Sequence, residues 1–173
     1  MKSWRWSDLT DIRNYLSILK KRNQLKVVKK TVSPKFELAA ITAKADGKEA
    51  LFFKNIKGKK FSLVSNLVGT RNRFALAVGA KDDTIHEKVI RAIEHAKKPK
   101  KNSKPKFLEN KSKDISILPI VTHFEKEPGP FITSSIIYTK NPEKGTQNSS
   151  FHRLMPIDKR HFSVRMVEGR DLH

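Results

Sequence analysis

The chain of 173 residues contains no cysteine. This absence excludes disulfide bonds, a thiolate nucleophile and any metal site built on thiolates. Long hydrophobic runs are also missing, because the longest apolar stretches, "ISILPIV" and "FALAVGA", are far too short to cross a bilayer. The N-terminus lacks the apolar segment of a secretory signal peptide. Together these absences predict a cytoplasmic protein without a membrane span.

The sequence lacks the common short catalytic motifs as well. It contains no Gly-rich phosphate loop, no H-E-x-x-H pair and no histidine spacing typical of zinc sites. The six histidines are scattered, and nothing orders serine, histidine and aspartate into a triad. Any catalytic function must therefore rest on a less standard arrangement of residues.

Acidic residues are few, and the formal net charge is +20. A positive field of this size attracts nucleic acids, anionic membranes or phosphorylated small molecules. However, 27 of the 37 basic residues are lysines, whereas arginine provides most bidentate recognition of phosphates and bases. A solvated lysine surface is therefore the leading interpretation, and a basic nucleic-acid-binding module is the alternative.

The first part of the chain, residues 1–98, has the pattern of an α/β domain. A helix is predicted to begin near Ser7, a second begins with Pro34 at its first position, and the capping box at Thr84 predicts a third. Between the helices lie three apolar runs typical of strands, "LKVVKKTV", "EALFFKNI" and "FSLVSNLVG". Alternation of helices and strands favours the α/β class.

The composition changes after this domain. Residues 99–115 are rich in lysine and poor in apolar side chains, which predicts a linker or an exposed crossover. Within residues 116–173, the range 131–167 reads as three antiparallel strands, "PFITSSIIYTK", "SSFHRLMPI" and "HFSVRMV". Three strands leave open edges and an uncovered face, so this part is predicted to be the incomplete start of a larger sheet.

The stretch "NSSFHRL", residues 148–154, carries more hydrogen-bonding groups than a core strand needs. In an ideal strand one face carries Asn148, Ser150 and His152. An exposed polar face explains that set, but it does not explain why Arg153 shares the other face with Phe151. Arg165 lies on the next strand, and two arginines on paired strands predict an anion-binding surface. An ordinary surface strand is the alternative.

Nearly the whole chain resembles the N-terminal portion of the UbiD-type decarboxylases, which use prenylated FMN. "DLTDIRNYLSILKKRNQLKVVKKTVSPKFELAAIT" is similar to the opening helix, strand and helix of that family, and "ALFFKNIKGKKFSLVSNLVGTRNRFALAVG" to its next block. "ILPIVTHFEKEPGPFITSSIIYTKNPEKGTQNSSFHRLMPIDKRHFSVRM" resembles the entry into its flavin-binding barrel. The implied fold is an α/β (α+β) N-terminal domain followed by the first antiparallel strands of a split β-barrel.

The resemblance implies an activity and a set of partners. The family decarboxylates α,β-unsaturated or aromatic carboxylic acids reversibly and without oxidation, and the modified flavin serves as electron sink. A separate flavin prenyltransferase supplies the cofactor. A metal, usually Mn²⁺ with K⁺ nearby, bridges the cofactor phosphate to the protein. The complete enzyme is expected to form a homo-oligomer, without membrane attachment.

Site residues are implied position by position. On the metal side, Asn148 matches the metal-binding asparagine and Ser150 the potassium site. Either Asp171 or His173 lies near the next metal-ligand position, and His173 is included with Asn148 in the expected metal site. On the flavin side, the residues expected to bind the cofactor are Asn148, Ser150, Phe151, His152, Arg153, Arg165, Met166 and Val167. Arg153 matches the catalytic arginine that faces the substrate carboxylate.

Asn148 and Arg153 are five residues apart and therefore point to opposite faces of a regular strand. A β-bulge or a strong twist is expected here, because both residues are assigned to one cofactor.

Two departures from the family bear on function. His152 replaces the usual tyrosine, and this change together with "RMVEGRDLH" resembles an archaeal branch that acts on anhydromevalonate phosphate in a mevalonate pathway. Family members are also much longer, and the acid/base carboxylates and the rest of the barrel have no counterpart here. These 173 residues alone are therefore expected not to decarboxylate a substrate. The rest of the lyase is expected to lie either on the same chain or on a separate one. A non-catalytic subunit of a split enzyme is the alternative.

Overall fold

The computed structural model describes residues 11–97, 103 and 109–173. The chain divides into two compact units that alternate along the sequence. The second unit comprises Thr31–Ala40, Ile56–Phe61 and Ser112–His173, and the first unit takes the rest of the chain. The predicted consecutive boundaries at residues 98 and 115 stay a prediction, because most of the lysine-rich segment lies outside the described residues.

The first unit contains a three-stranded mixed sheet. Its elements are helix α1 (Ile12–Lys21) and strands β1 (Leu25–Val28), β2 (Ala50–Phe53) and β3 (Leu63–Ser65). The strand order is β1-β2-β3, with β1 parallel to β2 and β2 antiparallel to β3. Helix α2 (Glu37–Lys44) makes the crossover that two parallel strands require. These elements confirm the expected α/β class.

The core of the first unit lies between α1 and the central strand. Leu19 of α1 packs with Tyr15 and Ala50 in one buried cluster, and Phe53 of β2 is fully buried. The apolar residues of α1 recur at helical spacing, so the buried side faces the sheet and the lysines face water. Asp11 caps this helix by accepting the backbone N–H of Arg13, whereas the predicted start at Ser7 lies outside the described residues.

Two further helices follow β3: α3 (Arg71–Ala77) and α4 (Ile85–Glu94). Thr70 caps α3 by accepting the backbone N–H of Arg73, as its position suggests. The capping box predicted at Thr84 is wrong. A 3₁₀ turn at Asp82–Thr84 precedes α4, and the Thr84 hydroxyl hydrogen-bonds instead to the backbone N–H and carbonyl of Lys81.

The prediction that α2 begins at Pro34 is also wrong, because the helix begins at Glu37. Lys35 pairs with Thr122 in an isolated parallel bridge, which holds the backbone extended before the helix. Phe36 then takes a positive φ of 65°. The Glu37 carboxylate accepts the Ser33 backbone N–H at 2.8 Å and so closes the turn into α2. Long-range backbone pairing therefore overrides the local proline signal.

The second unit contains an antiparallel sheet with the order β4-β5-β6, which confirms the three predicted strands. The strands are β4 (Ile132–Lys140), β5 (Gln147–Pro156) and β6 (Phe162–Val164). β6 is shorter than its sequence run predicts, since the strand ends before Arg165. Among the described residues, no helix is long and apolar enough to span a membrane.

Candidate functional site

The polar side chains of β5 lie on its better-covered face. Burial alternates strictly from Gln147 to Arg153, with Asn148, Ser150 and His152 half-buried and their neighbours exposed. Phe151 is 79% exposed. An exposed polar face is therefore wrong as an explanation of these residues. A strand that covers amides and imidazoles while exposing a phenyl ring is arranged for binding rather than for solubility.

Hydrogen bonds fix the half-buried face of β5. The Ser150 hydroxyl and His152 Nε2 share a hydrogen bond of 2.9 Å. The hydroxyl of Ser135, on β4, donates to the His152 carbonyl oxygen. These contacts orient Ser150 and His152 before any ligand arrives.

A pocket of about 560 Å³ adjoins this face near the start of β5. Asn148, Asp171 and His173 all contribute to its lining, as do Lys140 and Lys144. Backbone hydrogen bonds from Arg170 to Val167 and from His173 to Arg170 turn the last residues of the chain. The structure thus brings the three residues considered for the metal site into one pocket.

The donor set of this pocket fits a divalent cation bound together with a phosphate. A carboxamide oxygen, a carboxylate and an imidazole are suitable ligands for Mn²⁺, and two lysine ammonium groups suit an anion. Within the described ranges, no group of three or more histidine, aspartate and glutamate side chains is placed to hold a metal. The protein ligands visible here would therefore need to be completed by others.

Arg153 belongs to a different cluster. Its Nη1 lies 3.3 Å from Glu127 Oε1, and its guanidinium lies 4.7 Å from the ring centroid of Phe131. Arg153 is not among the residues that line the pocket beside Asn148. The structure therefore leaves the two residues on opposite faces of β5, as a regular strand requires.

The irregularity expected in this region is present, but it lies in β4. Ile132 pairs with Leu154 and Ser135 with His152, so β4 contains one residue more than β5 between these pairs. Such a bulge increases the local twist next to Arg153. It does not change the side of β5 from which Asn148 and Arg153 project.

Sequence reasoning missed Glu127. Its side chain is only 13% exposed, and Oε2 accepts the backbone N–H groups of His123 at 3.1 Å and Phe124 at 3.4 Å. His123 Nδ1 lies 3.9 Å from Glu127 Oε2, too far for a hydrogen bond, and is buried without a partner. In the sequence "FEKEPG" nothing distinguishes Glu127 from the exposed Glu125.

The second predicted flavin-binding segment is exposed. Arg165, Met166 and Val167 follow β6 and are solvent-accessible. On the sheet, Ile136 pairs with the exposed Phe151, and Tyr138, two residues further along β4, is 77% exposed. An apolar sheet face of this kind is usually covered by another layer or by a ligand.

Along the chain, an α/β unit is followed by an open antiparallel sheet whose central strand carries polar side chains beside a pocket. The N-terminal domain of 3-octaprenyl-4-hydroxybenzoate carboxy-lyase matches residues 16–93, and the Rift-related domain of the same carboxy-lyase matches residues 94–173. The chain belongs to the UbiD family.

Relatives and solved structures agree with this assignment. Anhydromevalonate phosphate decarboxylase from Methanothermobacter thermautotrophicus is 31% identical over 159 residues, covering 90% of this chain and 36% of the relative. The enzyme of the same name from Methanosarcina mazei is also 31% identical, over 91% of this chain and 36% of its own length.

Among solved structures, the UbiD-class enzyme HmfF from Pelotomaculum thermopropionicum in complex with FMN has a TM-score of 0.85 and 32% identity, covering 92% of this chain and 37% of HmfF. The closed form of vanillic acid decarboxylase from Sedimentibacter hydroxybenzoicus has a TM-score of 0.81 and 26% identity, over 99% of this chain and 39% of that chain. The chain therefore spans just over a third of the length of these relatives.

Proposed function

We propose that the chain is the N-terminal part of a lyase that decarboxylates an α,β-unsaturated or aromatic carboxylic acid, reversibly and without oxidation. Prenylated FMN and a divalent metal are the proposed cofactors. Support comes from the match to both family domains and from the related HmfF, whose evolved dimeric form was solved in complex with prFMN. The observation that carries the proposal is the pocket that Asn148 shares with Asp171 and His173.

Asn148 is proposed to bind Mn²⁺ through its carboxamide oxygen, with His173 or Asp171 as a further ligand and Ser150 near a K⁺ site. Lys140 and Lys144 line the same pocket and favour the cofactor phosphate. When bound, prenylated FMN supplies the electron sink for the loss of CO₂. These residues hold the phosphate end of the cofactor and carry no proton in the reaction.

The other proposed contacts orient the ring system and the substrate. His152, fixed by its hydrogen bond to Ser150, and the exposed Phe151 are proposed to contact the flavin. Arg165, Met166 and Val167 are proposed as a second cofactor-binding segment. Arg153 is the proposed catalytic residue, because a guanidinium binds the substrate carboxylate through paired hydrogen bonds before CO₂ leaves.

Binding of Mn²⁺ tests this assignment. We expect the free Mn²⁺ signal in electron paramagnetic resonance to fall when the chain and FMN are added, and to fall much less with Asn148→Ala. Loss of one ligand should weaken binding at least about tenfold. Asp171→Ala and His173→Ala then identify the further ligand, since only the true ligand lowers affinity. Equal Mn²⁺ binding by all three variants and the unmodified chain would exclude the proposed metal site.

Anhydromevalonate phosphate is the proposed substrate. Two relatives carry the name of that activity, and a phosphorylated acid suits a protein with a net charge of +20. A flavin prenyltransferase and the remaining part of the lyase are the proposed partners, and the complete enzyme is proposed to act in the cytoplasm as a homo-oligomer.

We further propose that these 173 residues do not decarboxylate by themselves, since a positioned acid/base carboxylate is expected outside them. CO₂ release should therefore be absent when the chain is supplied with prenylated FMN, Mn²⁺ and anhydromevalonate phosphate. Turnover without any partner polypeptide would contradict this proposal.

A further inference from the structure

The guanidinium of Arg153 is held from two sides although its side chain is 63% exposed. Glu127 Oε1 lies 3.3 Å from Nη1, and the ring of Phe131 lies under the guanidinium carbon at 4.7 Å. We propose that Glu127 is a positioning residue for Arg153, which it holds against Phe131 so that the guanidinium presents its other donors to an incoming carboxylate. What Arg153 binds rests on the proposed function, whereas the positioning rests on these contacts.

Glu127 can position a neighbour because its own carboxylate is fixed. Oε2 accepts two backbone N–H groups, from His123 and Phe124, which leaves Oε1 directed at Arg153. The Glu127 backbone N–H donates to the Phe124 carbonyl oxygen at 3.2 Å, and the Phe131 N–H donates to the Val121 carbonyl oxygen at 2.9 Å. The loop is thus closed at its base, and a carboxylate that is 87% covered cannot follow a moving arginine.

Arg153 has more donors than this cluster uses. A guanidinium carries five N–H groups, and the side-chain hydrogen bond found within the described residues engages Nη1. The ring contact restrains the plane of the guanidinium while leaving its outer edge accessible. A planar guanidinium whose orientation is restrained and whose other N–H groups are accessible is suited to bidentate binding of a carboxylate.

The pair is unlike an ordinary surface ion pair. Exposed pairs of two mobile side chains contribute little, because both lose rotamer freedom when they meet. Here one partner is already fixed by the backbone, so only Arg153 loses freedom. Phe131 directly precedes β4 and its bulge, and it pairs with Val121 in an isolated bridge. These contacts therefore restrain the Arg153 guanidinium and contribute little to the stability of the fold.

Glu127→Gln tests positioning without removing the turn. The glutamine carbonyl oxygen can still accept the two backbone N–H groups, while the charge facing Arg153 is lost. Glu125→Gln is the matched control, because Glu125 is exposed in the same loop. Phe131→Leu removes the ring under the guanidinium and serves as a second, independent variant.

The first measurement is the side-chain order of Arg153 in the full chain, from its ¹⁵Nε–¹Hε nuclear Overhauser effect. We expect a rigid signal in the unmodified chain and in Glu125→Gln, and a mobile signal in Glu127→Gln and in Phe131→Leu. If the Arg153 side chain is as ordered in Glu127→Gln as in the unmodified chain, the proposal is overturned. This result does not depend on whether the protein is a decarboxylase.

The second measurement uses the complete lyase loaded with prenylated FMN. We expect Glu127→Gln to lower kcat about tenfold and to raise KM, because a misplaced Arg153 binds the substrate carboxylate less well, without loss of bound flavin. Glu125→Gln should retain the unmodified kcat. A mobile Arg153 with an unchanged kcat also overturns the proposal. If the unmodified lyase shows no turnover, the proposed function fails while the order measurement still decides the positioning.

Discussion

The hydroxyl of Tyr15 illustrates how single residues stabilise the first unit. Its single O–H is shared between two carbonyl oxygens, that of Arg73 at 2.8 Å and that of Leu67 at 3.1 Å. Burial raises the pKa of this hydroxyl above its usual value, and the nearby charges of Arg73 and Arg22 offset part of that rise. Tyr15 therefore stays protonated and acts as a donor that ties α1 to the segment before and within α3.

Tyr15→Phe is expected to lower the free energy of unfolding by about 1–2 kcal/mol, because two buried carbonyl groups lose their donor while the ring is retained. Urea denaturation followed by circular dichroism measures the change. Tyr138→Phe is the control, since Tyr138 is largely exposed, and it should change stability by less than about 0.5 kcal/mol. Equal effects of the two substitutions would show that the Tyr15 hydrogen bonds contribute nothing.

At the same scale, the site shows what the sequence could and could not predict. Asn148, Asp171 and His173 were named from the sequence, and they line one pocket. Glu127 was not named, because its partner Arg153 is 26 residues away in the sequence and its burial depends on how the loop closes. Because Glu127 and Arg153 meet only in the folded chain, no local sequence pattern marks their contact.

At the scale of elements, the central strand β2 carries the core of the first unit. It pairs with β1 on one side and β3 on the other, and Phe53 has 0% exposed surface. Its apolar run "ALFF" explains why this strand was predictable from the sequence, since a strand buried on both faces shows a continuous apolar stretch.

Phe53→Ala is expected to destabilise the chain by about 3–5 kcal/mol, because it removes a buried ring and leaves a cavity. Phe61→Ala removes the same atoms from a side chain that is 45% exposed, and it should cost about 1 kcal/mol. The difference between the two unfolding free energies is the measurement. A Phe53→Ala chain as stable as Phe61→Ala would contradict the assigned core.

Element boundaries were less predictable than element types. The start predicted at Pro34 is wrong, because a long-range bridge from Lys35 to Thr122 displaces it. The start predicted at Thr84 is confirmed, since Thr84 is the N-cap residue of α4, although its hydroxyl bonds to Lys81 of the preceding 3₁₀ turn and not as the capping box requires. At the start of α3, the Thr70 hydroxyl accepts the Arg73 backbone N–H as an ordinary N-cap does. Local signals therefore hold only where tertiary pairing leaves the backbone free to follow them.

At the scale of the whole molecule, the antiparallel sheet has one face that the described residues leave exposed. Phe151, Ile136 and Tyr138 are exposed there. The chain covers 36% of the length of the curated relatives named above. The net charge of +20 admits three interpretations: a solvated lysine surface, binding of phosphorylated ligands, or binding of nucleic acid.

The most direct test of the proposed function is a titration of the chain with FMN in the presence and absence of Mn²⁺, followed by flavin fluorescence. We expect binding that is strengthened by Mn²⁺ and weakened at least about tenfold in Asn148→Ala. Ser149→Ala, an exposed neighbour on the opposite face of β5, should bind as the unmodified chain does. The proposal would be contradicted if the chain showed no FMN binding under either condition. Binding of generic DNA with a steep dependence on salt would then favour a nucleic-acid-binding module.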